Sequence, residues 1–245
     1  MTGERPEGAA AIGGRLLEQS RMRLGVARQM TLSKQTVPHF YVTTEIAVDG
    51  LLAAARRLSA RPAGPRVSVT AILVRALTET LLEQPILNAV WTPDGCLVRD
   101  AVNVGIAIAL DDGLLAPAIL DCQALDLAQT AAALDDLVAR ARAGRLRASE
   151  MASATFTLSN LGMFDVTSFA AIVIPPQVAI LATGRAVRRP VVVGDTIAVR
   201  SVMTATVSAD HRAVDGAEAA RFLAALKGRL EGFTAGLDRA TPRAG

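Results

Sequence analysis

Residues 196–230 read TIAVRSVMTATVSADHRAVDGAEAARFLAALKGRL, and they hold a strand, a charged turn and a helix in succession. Ile197 to Val207 alternates as a strand does. Ala217 to Leu230 sets Phe222, Leu223, Leu226 and Leu230 on one helical face. Between them lies SADHRAVDG, in which Asp210, Arg212 and Asp215 surround His211 with charge. Asp215, with Glu218 three residues on, has the form of a capping box at the helix start. A strand that runs into a helix through such a turn carries its polar side chains to a sheet edge, where sites form.

The same alternation of periods extends toward the N-terminus. Arg15 to Met30 spaces Leu16, Leu17, Met22, Leu24, Ala27 and Met30 as an amphipathic helix, and Pro38 ends any helix before it. His39 to Val48 reads as a strand, and Asp49 as the cap of a helix through Leu58, with RPAGPR as the turn that follows. Val69 to Leu82 is an apolar helix stopped by Pro85. Asn103 to Ala109 is a short buried strand, and Asp126 to Ala143 a helix with Gly144 as its stop. Thr155 to Ser159 and Val178 to Leu181 are further strands. The reading is one α/β domain, a mixed sheet with helices, over residues 15–232. Residues 1–14 read as a flexible leader or linker remnant and 233–245 as a loose tail.

Composition narrows the function. Of 245 residues 51% are hydrophobic but only 3% aromatic, so the core is aliphatic and base-stacking platforms are scarce. Residues 1–75 carry 11 Lys and Arg against 5 Asp and Glu. That excess suits a phosphate-bearing small molecule or an ordinary solvated surface, and is too sparse for a nucleic-acid stripe. Cys96 and Cys122 have neither CxxC nor metal-ligand spacing and read as buried thiols in a reducing compartment. No signal peptide is visible at the N-terminus. The longest apolar stretch, Phe169 to Gly184, is broken by Pro175-Pro176 and falls short of the ~20 residues of a membrane span. The expectation is a soluble, cytoplasmic protein with no metal, no nucleic-acid partner and no membrane anchor.

Only two histidines exist. His39, in VPHFYV, has the setting of a packed, partner-bonded structural residue. His211, at a strand-to-helix junction, can exchange a proton near neutral pH. Asp215 is either a helix cap, a carboxylate that orients the site through an ion pair, or both. Ser159, at the strand end FTLSNLG, suits an oxyanion donor or a turn equally. No GxSxG elbow, GxGxxG turn or P-loop is present, which weighs against serine hydrolases, NAD enzymes and NTPases.

At this point the motifs carry a resemblance. DHRAVDG (210–216) resembles the DHRxxDG signature of the catalytic domain of dihydrolipoamide acyltransferases, the core subunits of 2-oxo acid dehydrogenase complexes. Chloramphenicol acetyltransferase shares its His-x-x-x-Asp-Gly element. QTVPHFYVTTEI (35–46), PILNAVW (85–91), NVGIAIALDDGLLAP (103–117), TFTLSNLGMF (155–164) and IPPQVAILATG (174–184) each resemble a block of that family, in the family's order. Together they span about Arg15 to Glu231.

The resemblance implies a coenzyme A-dependent acyltransferase of the chloramphenicol acetyltransferase-like fold, a homotrimer with its sites at subunit boundaries. Coenzyme A and a lipoyl group carried on another domain or protein would enter from opposite ends, with dehydrogenase subunits as further partners. His211 would be the general base, Ser159 of the neighbouring subunit the oxyanion donor, and Asp215 an architectural residue paired with an arginine. Coenzyme A would meet Ser68, Asn160 beside Ser159, Gly184, Arg185, and Arg56, which has Arg57 next to it.

The sequence departs from the family in several places. Its two lysines, Lys34 and Lys227, have no lipoyl-attachment setting, so the lipoyl group is expected elsewhere. Ser153-Ala154 replaces a common Gly-Gly, Asp165 a common glycine, Ile174 a common asparagine, and Ala109 an aspartate. The polar ending GLDRATPRAG predicts a trimer without a strong shell-forming contact. Two other functions stay open: a stand-alone acyltransferase acting on a small hydroxyl or amine, and an inactive trimeric scaffold.

Overall fold

A computed structural model of the chain describes residue 15 and residues 17–60, 64–110 and 113–233. The expected leader, the tail from 234 and part of the RPAGPR turn lie outside those residues. In chain order the elements are α1 (Arg21–Thr36), β1 (His39–Ala47), α2 (Asp49–Ser59), α3 (Val69–Glu83), β2 (Ala89–Thr92), β3 (Gly95–Val98), β4 (Val104–Ile106), β5 (Ile108–Leu110), β6 (Gly113–Leu115) and β7 (Ala118–Ile119). There follow α4 (Leu127–Arg142), α5 (Ala148–Ala152), β8 (Phe156–Asn160), β9 (Ala179–Thr183), β10 (Val187–Val193), β11 (Thr196–Asp210) and α6 (Gly216–Glu231).

The main sheet runs β1-β11-β9-β8-β4-β7, with β10 paired to the far half of β11. β8 is parallel to β9 and β4, and the remaining pairs are antiparallel, so the sheet is mixed as expected. Two small ribbons, β2-β3 and β5-β6, stand apart.

The register separates the sheet's faces. Side chains alternate along a strand, and paired residues share a face. Phe40, Val42 and Ile46 therefore align with Met203, Ala205, Val207 and Ala209, then with Ala179 and Leu181, Phe156 and Leu158, and Val104 and Ile106. These residues join one core with α2, α3, α4 and α6, including Leu51, Leu77, Leu137, Phe222 and Leu226. The other face carries Tyr41, Thr43, Thr204, Thr206, Ser208, Asp210, Thr157 and Ser159. Over it lie the end of α1, whose Lys34 reaches the Tyr41 hydroxyl at 2.7 Å, and a small apolar cluster of Val37, Val173 and Ile180. Thr157, Ser208 and Asp210 there are fully buried, whereas Tyr41 and Thr43 are exposed.

Several boundaries differ from the sequence reading. The first helix begins at Arg21, because Ser20 caps it by accepting the Arg23 N–H, and it continues to Thr36. None of its apolar residues is buried, so their spacing did not report a buried stripe. Asp49 is not the cap of α2: it lies within the helix and accepts the Ser201 N–H at 3.0 Å. The 103–109 strand is two strands. After Ala107 donates to Leu158, the chain leaves β8 and pairs with β6. Strands β2, β3 and β10 are additional, short or arginine-rich segments that periodicity alone does not mark. The α4 reading holds: Asp126 and Gln129 form a capping box, and Gly144 beyond the end takes φ 66°. Cys122 is buried, but Cys96 is exposed, because its ribbon lies outside the main core.

Candidate active site

β11 delivers His211 to the sheet's end. The turn that follows is pinned by Asp210, whose side chain is fully buried. Its carbonyl accepts the N–H groups of Ala213 and Val214, both at 3.0 Å. Its carboxylate accepts the Arg212 backbone N–H at 3.0 Å and the guanidinium at 2.9 and 2.6 Å. That guanidinium lies over the Trp91 ring, 4.5 Å from its centre. The His211 N–H donates to Pro38 O at 3.1 Å, and its ring packs on Phe40 with centroids 4.5 Å apart. The ring is exposed, and among the described residues it has no hydrogen-bond partner. An open cleft of about 300 Å³, lined by Trp91, Pro175, Pro176, Asp210 and Arg212, adjoins this turn. His211 is thus held by its backbone and one aromatic contact, with its ring nitrogens available.

Asp215 caps α6: it accepts the Glu218 N–H at 2.7 Å, and Glu218 returns a bond to the Asp215 N–H at 2.8 Å. Among the described residues Asp215 makes no ion pair with an arginine, and it is Asp210 that holds Arg212. The sequence placed charge around His211 without saying which carboxylate was buried, and burial decides which one holds Arg212. Phe40 and Trp91, sites missed in the sequence, come from strands far along the chain.

His39 is structural, as read. Its Nδ1 contacts Val37 O at 2.8 Å and Nε2 accepts the Val173 N–H at 3.0 Å, so Nδ1 carries the proton and donates.

Ser159 is 9% exposed on the hydroxyl-bearing face of β8, and its hydroxyl has no hydrogen-bond partner among the described residues. The ladder Ser159↔Ala182↔Thr206 places it two strands across from Thr206, and His211 lies five residues farther along. With strands ~4.8 Å apart and ~3.4 Å per residue, the two sites are ~20 Å apart within one chain. One chain does not bring His211 and Ser159 together.

The remaining candidates gather elsewhere. Asn160 points to the helix face of the sheet, opposite to Ser159. Its Nδ2 donates to Thr70 Oγ1 at 3.1 Å and its Oδ1 accepts the Gly162 N–H at 2.8 Å. Ser68 caps α3 by accepting the Ala71 N–H at 3.2 Å. Gly162 lies against Gly184 and Arg185. A Cβ at Gly184 would overlap the Thr167 carbonyl, so only glycine fits there. Asn160 thus links the start of α3, which Ser68 caps and whose positive end favours an anion, to Gly162, Gly184 and the Arg185 backbone. Arg56, on α2, has no hydrogen bond or ion pair to that group among the described residues.

Among the described residues no cluster of three His, Cys, Asp or Glu side chains could hold a metal. Nor is any described helix long and apolar enough to cross a membrane.

Comparison with known proteins places this geometry. The chain is 36% identical over 217 residues to the dihydrolipoyllysine-residue acetyltransferase component of the pyruvate dehydrogenase complex of Zymomonas mobilis, covering 88% of this chain and 49% of that one. The chain spans about half the length of the curated relatives it matches. Among solved structures it resembles the dihydrolipoamide acetyltransferase of Azotobacter vinelandii, with a TM-score of 0.88 and 30% identity over 95% of this chain and 98% of that one. There a serine, a histidine and an asparagine were investigated for their role in the catalytic mechanism. The serine precedes the histidine by 52 positions and the asparagine follows it by four. Ser159, His211 and Asp215 keep both intervals. Chloramphenicol acetyltransferase, at 17% identity and a TM-score of 0.52 over 79% of this chain and 84% of that one, shares the fold. Residues 15–237 match the model of the 2-oxoacid dehydrogenases acyltransferase (catalytic domain) family, and the chain belongs to that family.

Proposed function

We propose that this chain transfers an acyl group between a lipoyl thiol and coenzyme A, as the catalytic core of a 2-oxo acid dehydrogenase-type complex, and that it works as a homotrimer. The observation that carries this reading is the separation of Ser159 and His211 within one chain, joined to the intervals they share with the investigated serine and histidine. Two groups ~20 Å apart act on one carbonyl only if a neighbouring copy supplies one of them.

In that arrangement His211 is the general base. A free thiol, with a pKa of roughly 8.5, is largely protonated at neutral pH, and His211 accepts its proton as sulfur attacks the thioester carbonyl. The partner subunit's Ser159 donates its hydroxyl to the oxyanion, a contact worth about 2.7–4 kcal/mol of barrier. His211 then returns the proton to the departing thiolate. Both thiols bind at once, so no acyl-enzyme is needed. Asp210 and Arg212 hold the turn, and Asp215 fixes the start of α6. Coenzyme A, a substrate here, meets the α3 start through Ser68, Asn160, Gly184 and Arg185, with Arg56 in the last turn of α2 as a further phosphate candidate. The lipoyl group comes from another domain or protein, with dehydrogenase subunits as partners and a cytoplasmic setting.

The test is thioester formation from acetyl-coenzyme A and dihydrolipoamide. His211→Ala and Ser159→Ala should each lower turnover about 10²–10³-fold. Co-refolding the two variants should restore about a quarter of wild-type activity, because random trimers rebuild some sites from one intact histidine and one intact serine. Full activity in His211→Ala, or no recovery on mixing, overturns the mechanism. Acylation of an alcohol or amine but of no thiol would turn the assignment to a small-molecule acyltransferase.

A further inference from the structure

Arg185 is already paired in the chain. Its Nη1 contacts Asp165 Oδ1. The backbone imposes this meeting. The Arg185 N–H donates to Val166 O at 2.8 Å, and Gly184 lies flat against the Thr167 carbonyl. Residues 165–167 are therefore clamped to 184–185, and Asp165 stands beside Arg185 before either side chain selects a rotamer. Part of the entropy that usually weakens a surface pair is thereby already spent.

The pair is also easily displaced. Asp165 is 82% exposed and Arg185 44% exposed, so solvent screens their attraction. A coenzyme A phosphate that extends from the α3 start to the same guanidinium would make stronger, charge-assisted bonds to it. Asp165 would remain next to it as a like charge. A carboxylate fixed at that spot both occupies the phosphate's donor and repels the phosphate once it binds.

We propose that Asp165 competes with a phosphate of coenzyme A for Arg185 and so sets the affinity for coenzyme A lower than the site could otherwise reach. Asp165 touches no reacting atom, and its effect passes through Arg185. As the coenzyme A moiety departs after transfer, Asp165 takes back the guanidinium, which hastens release. This inference rests on the reading of the α3 start as the coenzyme A site.

Calorimetric titration of the assembled protein with coenzyme A, for wild type, Asp165→Asn, Arg185→Ala and the double variant, tests it. Asp165→Asn should lower Kd about threefold with kcat not reduced by loss of chemistry. Arg185→Ala should raise Kd about tenfold. The double variant should match Arg185→Ala, since without the guanidinium there is nothing to compete for. If Arg185→Ala weakens binding while Asp165→Asn leaves it unchanged or weakens it, the competition is refuted and the coenzyme A site stands. If Arg185→Ala leaves Kd unchanged, the site assignment itself falls, and the competition with it.

Discussion

The two faces of the main sheet do different work. One is built from Val42, Ile46, Met203, Ala205, Val207, Leu181, Phe156 and Leu158 and is covered within the chain by four helices. The other is lined by Tyr41, Thr43, Thr204, Thr206 and Ser159, and among the described residues it meets the end of α1 and a small apolar cluster rather than a layer of helices. Burial of apolar area supplies most folding free energy, so stability resides on the first face. The hydroxyl-bearing face buries little apolar side chain, and in the proposed trimer it is where a second copy would bring chemistry to Ser159. Under the proposed function, a layered α/β domain completes its core alone and its site only with a neighbour.

The contrast predicts a graded series of stability losses in denaturant titrations. Phe222→Ala, which empties a fully buried place against Phe156, should cost about 3–5 kcal/mol. A loss below about 1 kcal/mol would show that the helix-covered core does not dominate. Next comes the Arg140–Glu150 pair beneath α4 and α5, with two bonds of 2.7 Å. Arg140 holds the Glu150 carboxyl below its ordinary range. Glu150→Gln should therefore cost about 2 kcal/mol at neutral pH. Because the folded pKa is depressed, this contribution is complete above the unfolded value of about 4.3 and fades as pH falls through the folded one. The melting difference between wild type and Glu150→Gln should shrink in that acid window, and a difference that grows there contradicts the pair's role.

On the hydroxyl-bearing face, Thr206→Val removes only the 3.0 Å hydroxyl contact with Thr43. It should change stability by about 1 kcal/mol or less. A cost equal to that of Phe222→Ala would erase the distinction between the faces. The smallest effect is chemical. Burial pushes the Cys122 thiol up to about 11. Partial burial, then Asp210 and Glu218, raises Cys96 less far. Raised values mean less thiolate, so iodoacetamide at neutral pH should label Cys96 slowly and leave Cys122 unmodified in the native protein, as read by intact mass. Labelling of Cys122 first would show that its wall of the core opens.

What local chemistry specifies could be read without coordinates. The caps at Asp126 and Asp215, the α6 stripe, the long strand before His211 and the satisfied setting of His39 each depend on residues a few positions apart. The candidate residues themselves, His211 and Ser159, were legible from motif and spacing. Less was visible where partners come from afar. The start of α1 shifted because a single serine cap outweighs a loose apolar pattern. β10 was silent because Val187–Val193 earns its strand by pairing with β11 and carries two adjacent arginines. Cys96 was read as buried because residue type alone cannot show that its ribbon stands outside the core.

By itself, then, the sequence determined the α/β class, the strand-turn-helix unit around His211 and the identity of the chemical groups, because hydrophobic period and capping act over one or two turns of chain. Only the tertiary structure decided that Asp210 and not Asp215 holds the arginine, that Ser159 and Asn160 face opposite ways, and that His211 stands ~20 Å from the serine of its own chain. Those outcomes follow from strand register and burial, which depend on which distant segments pair, and no local pattern encodes them.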